Sequence, residues 1–189
     1  MTNPLLIDIP ESFTTERLLI RPPRAGDGAM VNRAIHESFE ELKRWMPWAQ
    51  ERPTVEESEG FARRSQGQFI LRENMNLLLL DRADGEFVGS SGFHLPDWSL
   101  RKFEIGYWCR TSRVGQGLIT EAVREITRLA FERLDARRLE IRMDERNVRS
   151  IAVAERVGFE LEGTFVDDSL DPQGVPRSTR VYARTVPPA

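Results

Sequence analysis

The sequence predicts a mixed α/β (α+β) domain, a mostly antiparallel sheet flanked by helices. Three observations carry that expectation. Strand-like and helix-like stretches follow one another in the order β-α-α-β-β-β-α-β-α-β-β. Residues 76 to 109 read as an antiparallel meander. A Gly115-Gln116-Gly117 turn then stands between an apolar strand and an amphipathic helix.

Taken in order, Glu16–Arg21 is a short strand closed by Pro22 and Pro23. Asp27 is placed to cap a helix in which Val31, Ala34, Ile35, Phe39, Leu42 and Met46 recur at helical spacing until Pro47 ends it. Thr54 and Glu57 form a capping box that opens a second helix through Phe61, Ala62, Ser65 and Phe69. Asn76–Asp81 is a four-leucine strand, Arg82-Ala83-Asp84-Gly85 a turn, and Glu86–His94 its hairpin partner. Phe103–Cys109 has the aromatic and β-branched content of a buried strand. Beyond the glycine turn, Leu118, Ala122, Ile126, Leu129 and Ala130 share one helical face. Arg138–Met143 alternates as a strand, Asn147 caps a short helix, and Gly158 ends it. Phe159–Leu170 and Arg177–Arg184 close the chain around Asp171-Pro172-Gln173-Gly174. The expected division is an N-terminal extension (1–12), one domain (13–185) and a short tail (186–189).

At 189 residues and 40% hydrophobic composition the chain can bury one sizeable core. Its net charge of −3 excludes an overall basic nucleic-acid binder. Between Arg110 and Arg156, however, eleven arginines face eight carboxylates, so the window after the glycine turn is the basic part of an acidic protein. One cysteine and two histidines argue against a disulfide framework or a His/Cys metal site, so no metal is expected and a reducing cytoplasm fits. The N-terminal apolar run lacks a basic leader and is interrupted by Asp8, so neither a signal peptide nor a membrane partner is expected.

The glycine turn itself reads as a phosphate seat. Gly115 and Gly117 let the backbone approach a ligand closely, and the helix that follows aims its unpaired N–H groups back at the loop. Two glycines in a short turn are also an ordinary structural device, so further features must decide.

Those features occur in order: Glu104-Ile105-Gly106-Tyr107-Trp108, then Gly115-Gln116-Gly117-Leu118-Ile119-Thr120-Glu121-Ala122, then Asn147-x-x-Ser150 and Gly158-Phe159-x-Leu161-Glu162-Gly163, and finally Val181-Tyr182-Ala183-Arg184. With the element order, this pattern resembles the GNAT family of N-acetyltransferases over residues 13 to 185, and within it the RimJ/RimL-like branch that acetylates protein N-termini. The resemblance implies a GNAT fold and acetyl-CoA as cofactor. It also implies a primary amine acceptor, in that branch a protein N-terminus. A small-molecule amine acceptor and a non-catalytic acyl-CoA-binding module are the alternatives, and a homodimer is left open.

The resemblance further implies that the strand ending at Cys109 and the strand ending at Met143 part near their C-terminal ends and admit the pantetheine arm beside Trp108 and Cys109. The pyrophosphate would rest on main-chain N–H groups of Gly115, Gln116, Gly117, Leu118, Ile119 and Thr120, with Arg110 and Arg113 as nearby cations and Val114 in the loop. Val114 and Ile119 depart from the residues most common at their positions. Asn147 matches a cofactor-contacting asparagine, although helix capping alone would explain it. Many members carry a tyrosine acid four residues before the Gly-Phe pair, where this chain has Ala154. Ser150 is the suggested substitute for protonating the thiolate. Glu104 is the first candidate for general base, Asp168 the second. Trp45, Met46 and Trp48, at a helix end beside Pro47, either pack into the core or wall the acceptor pocket, the latter together with a closing hairpin around Asp167, Asp168 and Ser169. An α-amine with a pKa of about 7.7–8.0 is far more often neutral near pH 7.5 than a lysine at about 10.4, which suits a site without a recognisable histidine or tyrosine.

Overall fold

The structure is a computed structural model that describes residues 3–187. The four consecutive leucines from Leu77 to Leu80 have a simple physical origin: they lie on a strand covered on both faces, so alternation gives way to a continuous apolar run. Leu77 and Leu79 join the larger core, Leu78 and Leu80 a second one on the other face.

Along the chain the elements are β1 (Phe13–Thr14), β2 (Leu18–Arg21), α1 (Gly28–Glu37), α2 (Phe39–Trp45), α3 (Val55–Leu71), β3 (Met75–Asp81), β4 (Phe87–Asp97), β5 (Lys102–Cys109), α4 (Leu118–Arg133), β6 (Arg138–Asp144), α5 (Val148–Arg156), β7 (Glu160–Leu170) and β8 (Pro176–Arg184). They build one eight-stranded sheet in the order β1-β2-β3-β4-β5-β6-β8-β7. Every neighbouring pair is antiparallel except β5 and β6, which are joined by the crossover through α4. The larger core sets the predicted face of α4 (Leu118, Ala122, Ile126, Leu129, Ala130) and Ile151 of α5 against Phe93, Phe103 and Ile105, with Ile9 from the N-terminal segment. The second packs Val31, Ala34, Ile35 and Leu42 against Leu78, Leu80 and Phe87. No described helix is long and apolar enough to cross a membrane.

The mostly antiparallel mixed sheet flanked by helices is as expected from the sequence, with three local differences. The first strand is preceded by a two-residue partner, Phe13–Thr14. The first predicted helix is two helices, because Ser38 leaves helical geometry (φ −99°, ψ 8°). Its Oγ accepts a 2.9 Å hydrogen bond from Thr111 N–H, while the Glu37 carboxylate accepts one from Ser112 N–H at 2.9 Å. Periodicity hides this break because Phe39 and Leu42 stay buried beyond it. Asp27, lastly, makes no side-chain cap to α1. It holds Arg21 in a two-pronged ion pair at 2.6 and 2.7 Å and accepts from Arg24 N–H at 2.8 Å.

That pair is nearly sealed, with side-chain exposures of 9% and 10%. Removing one partner strands the other charge in a poorly solvated place. We expect Asp27→Ala to lower unfolding stability by about 3–5 kcal/mol in urea titration. A loss under about 1 kcal/mol would show that water reaches Arg21 freely.

Candidate functional site

β5 and β6 run side by side for three register pairs only, Lys102–Arg138, Phe103–Leu139 and Glu104–Glu140. Beyond them β5 continues to Cys109 and β6 to Asp144 without pairing each other. The other edge of β5 stays bonded to β4 as far as Cys109 opposite Gly89. The main-chain groups on the facing edges therefore have no strand partner, an arrangement that favours a polar, extended ligand. The gap opens into a cleft of about 1660 Å³ that runs from the glycine turn to the ends of α1 and α2.

At one end of the cleft, the chain makes a 3₁₀ turn over Thr111–Arg113 and then reaches Gly115 (φ 81°) and Gly117 (φ 77°). Both torsions lie in the left-handed region that favours glycine. Gly117 is the N-cap of α4, and the first intrahelical bond runs from Glu121 N–H to Gly117 O at 3.0 Å. The N–H groups of Leu118, Ile119 and Thr120 precede it and, with the positive end of the helix, form an anion seat. Val114, Gly115, Gly117, Leu118, Ile119 and Thr120 all line the cleft, whereas Gln116 does not.

The expected cations behave differently. Arg110 is held by Glu37 at 2.6 Å and Glu86 at 3.0 Å, and Arg113 by Asp81 at 3.1 Å and Asp84 at 2.5 Å. Arg110 does not reach the cleft, and Arg113 reaches it already neutralised. Both act as struts tying the glycine loop to α1 and to the β3–β4 turn. The guanidiniums at the mouth are instead Arg17, bonded to Gln116 O at 2.9 Å and to Glu121, and Arg124, which has no carboxylate partner among the described residues. Neither is marked by the loop pattern, since one comes from before β2 and the other from the second turn of α4.

At the centre, Asn147 caps α5 by accepting from Ser150 N–H at 3.1 Å. Ser150 Oγ donates to the Tyr107 hydroxyl at 3.1 Å, and that hydroxyl donates to Ser150 O at 2.9 Å. Burial pushes the Tyr107 hydroxyl up to about 12, against the opposing effect of its bond to Ser150. Sequence reasoning missed this tyrosine. Ala154, at the position where the resemblance would place a tyrosine, is fully buried. Burial likewise raises the Cys109 thiol to about 11, so it is a neutral wall of the gap.

The opposite face of β5 carries Glu104, Gly106 and Trp108. Trp108 lies 5.4 Å from the Phe87 ring and 6.2 Å from Trp48, and Trp45, Met46 and Trp48 line the same cleft as Glu104 and Ser150. Burial raises the Glu104 carboxyl, Arg142 and Lys102 oppose the rise, and Glu140 adds to it. Asp168 is not part of this site, nor are Asp167 and Ser169. All three sit on β7, which is the outer edge of the sheet because β8 inserts between it and β6. The hairpin approaches the acceptor side only through its tip, where Gln173 Nε2 donates to Lys43 O at 3.0 Å, and through Arg177.

Residues 17–160 match the acetyltransferase (GNAT) domain family. The ribosomal-protein-serine acetyltransferase of Escherichia coli (strain K12) is 28% identical over 152 residues, 76% of this chain and 81% of that protein. The Bacillus subtilis (strain 168) protein YdaF, named provisionally as a ribosomal N-acetyltransferase, is 42% identical over 84 residues, 44% of this chain and 46% of its own. The match thus spans about half the length of that relative. Among solved structures, RimL, a ribosomal L7/L12 α-N-protein acetyltransferase in complex with coenzyme A, superposes with a TM-score of 0.83 at 22% identity, covering 93% of this chain and 98% of its own.

The raised Glu104 carboxyl has a thermodynamic consequence. Its folded-state pKa exceeds its unfolded one, so between the two values the native state holds more protons and stability falls as pH rises. Glu104→Gln removes that loss. The stability difference, mutant minus wild type, should therefore shift in favour of the mutant as pH is raised from about 4 to 7 in urea titrations. A difference independent of pH would show that the carboxylate is as well solvated in the fold as in the open chain.

Proposed function

Because the chain belongs to the GNAT acetyltransferase family, we propose that it transfers an acetyl group from acetyl-CoA to a primary amine by direct attack in a ternary complex, and that the amine is the N-terminal α-amine of a protein. One observation carries this reading: the strand gap, the anion seat and the tryptophan-lined recess form a single cleft. The name of the Escherichia coli relative supports the acceptor class.

The residues present fit the cofactor. The N–H groups at the start of α4 suit a pyrophosphate, Arg124 and Arg17 supply charge at the mouth, and the unpaired edge of β5 from Ile105 to Cys109 suits an amide-bearing arm. That edge would offer a main-chain N–H to a thioester carbonyl on which charge develops. Asn147 keeps α5 in register with the gap, and Ser150 with Tyr107 forms a two-hydroxyl unit from which a departing thiolate takes its proton. Tyr107 does this as a neutral phenol, since burial keeps it protonated throughout the working range.

On the acceptor side, Trp45, Met46, Trp48 and Trp108 offer flat apolar walls, while Glu57 and Glu104 supply negative charge for a cationic terminus. A peptide would enter along the Trp45–Trp48 segment that follows α2.

Two measurements test the reading. A side chain at Gly117 would be forced into the left-handed region at the anion seat, so Gly117→Val should weaken acetyl-CoA binding by at least about tenfold in calorimetry while the fold persists; unchanged affinity would exclude the seat. In a thiol-release assay, a short N-terminal peptide should exceed its own first residue, as the amide, by about one to two orders of magnitude in kcat/KM, because an extended chain adds main-chain bonds and pockets. A ratio near one would mean that the site reads a small amine.

A further inference from the structure

His94 lies in the same cleft, on β4, at the register position opposite Glu104. Directly opposed residues of an antiparallel pair point to the same face, so the imidazole belongs to the acceptor side of β5. Its Nδ1 is 2.9 Å from Asn74 Oδ1. An amide oxygen only accepts, so the ring proton is on Nδ1 and Nε2 carries a free lone pair. The position of that lone pair is marked by Gly106, where a Cβ would come within 2.9 Å of both Nε2 and Cδ2 of the ring. The imidazole edge thus lies over the glycine two residues past Glu104, the last β5 residue paired with β6, at the mouth of the strand gap.

We propose that His94 is the catalytic base for the incoming amine, with Asn74 as the positioning residue that holds its tautomer; the assignment rests on the acetyl-transfer reading above. As the amine nitrogen forms its bond to the thioester carbonyl carbon, its surplus proton passes to His94 Nε2. The C–S bond breaks and the sulfur takes a proton from the Ser150–Tyr107 side; the hydroxyl pair then regains a proton from water as the imidazolium returns its own to water, so the enzyme is restored. Burial alone pulls the imidazole below its ordinary value, so it is neutral and able to accept near pH 7. The charged groups that line its cleft include Glu104 on β5, Glu57 on α3, and Arg142 and Asp144 on β6. Glu104 is the weaker candidate on physical grounds: a carboxylate, even one raised by burial, is a poorer proton acceptor than an imidazole for an amine of pKa about 7.7–8.0.

The test compares the full-length wild type with His94→Gln, Glu104→Gln and Asn74→Asp. With a peptide acceptor, log kcat/KM of the wild type should fall with slope one below the amine pKa and steepen to slope two as the imidazole titrates, at or below about pH 6.5. His94→Gln should lower kcat by about 10²–10³-fold, keep acetyl-CoA affinity, and retain slope one throughout. Asn74→Asp should move the steepening to higher pH by placing a negative charge on Nδ1–H, which a merely structural role would not do. Full activity or a persisting second proton in His94→Gln overturns the assignment, and loss of that proton in Glu104→Gln alone transfers the role. A wild type inactive on every amine counts against the acetyl-transfer reading. In that event ¹⁵N spectra still judge His94: with only two histidines in the chain the ring is assigned by the mutant, Nε2 should be unprotonated at pH 7, and a proton there overturns the proposal.

Discussion

The structure depends on one early parting of strands. Parallel neighbours joined by a helical crossover normally stay bonded along their length, because each unpaired main-chain group loses a hydrogen bond. Here β5 and β6 separate after Glu104 and Glu140, while β4 on one side and β8 on the other remain bonded to them. The outer bonds hold each strand in place, so the gap is a fixed feature of the sheet and not a frayed end. The N-terminus of α4, the cap of α5 and the tryptophan wall are all arranged around it.

What holds the glycine turn in position is mainly charge. Leu118 and Ile119 anchor the start of α4 in the core, but the loop before it buries no apolar side chain. Its arginines grip Glu37, Glu86, Asp81 and Asp84, and Glu121 accepts from Thr15, Arg17 N–H and the Arg17 guanidinium. Partly exposed pairs of this kind each contribute little stability. Together they give a defined direction to a segment that apolar packing cannot orient. The same carboxylates that neutralise Arg110 and Arg113 leave the mouth of the cleft to Arg124 and Arg17.

Elements governed by nearby residues were legible in the sequence. The capping box of Thr54 and Glu57, the Asn147 cap, the end of α5 at Gly158 and the buried face of α4 all appear as expected. The features that escaped depend on distant partners. Ser38 leaves the helix for Thr111, Asp27 turns to Arg21, and the loop arginines find carboxylates between 24 and 73 positions away. Asp168 was misplaced for a topological reason, since nothing in a local pattern says that the last strand lies inside the one before it. Tyr107 was within reach, since alternation along β5 puts it on the α5 face. His94 was not: a register shift between His94 and Asp97 means that a count outward from the β4–β5 turn would set it opposite Ile105 and not Glu104.

The position of β8 also bears on how the molecule is made. Its nine residues, Pro176–Arg184, bond β6 on one side and β7 on the other, and they bring Tyr182 into the core. A chain growing from its N-terminus therefore displays β6 as an open edge, and has nowhere to dock β7, until the final strand emerges. Completion of the sheet is a single late event that adds two strands at once. A polypeptide stopped short of residue 176 would lose an interior strand, not a trim from the border, and would present the apolar side of β6 to whatever nascent chains surround it.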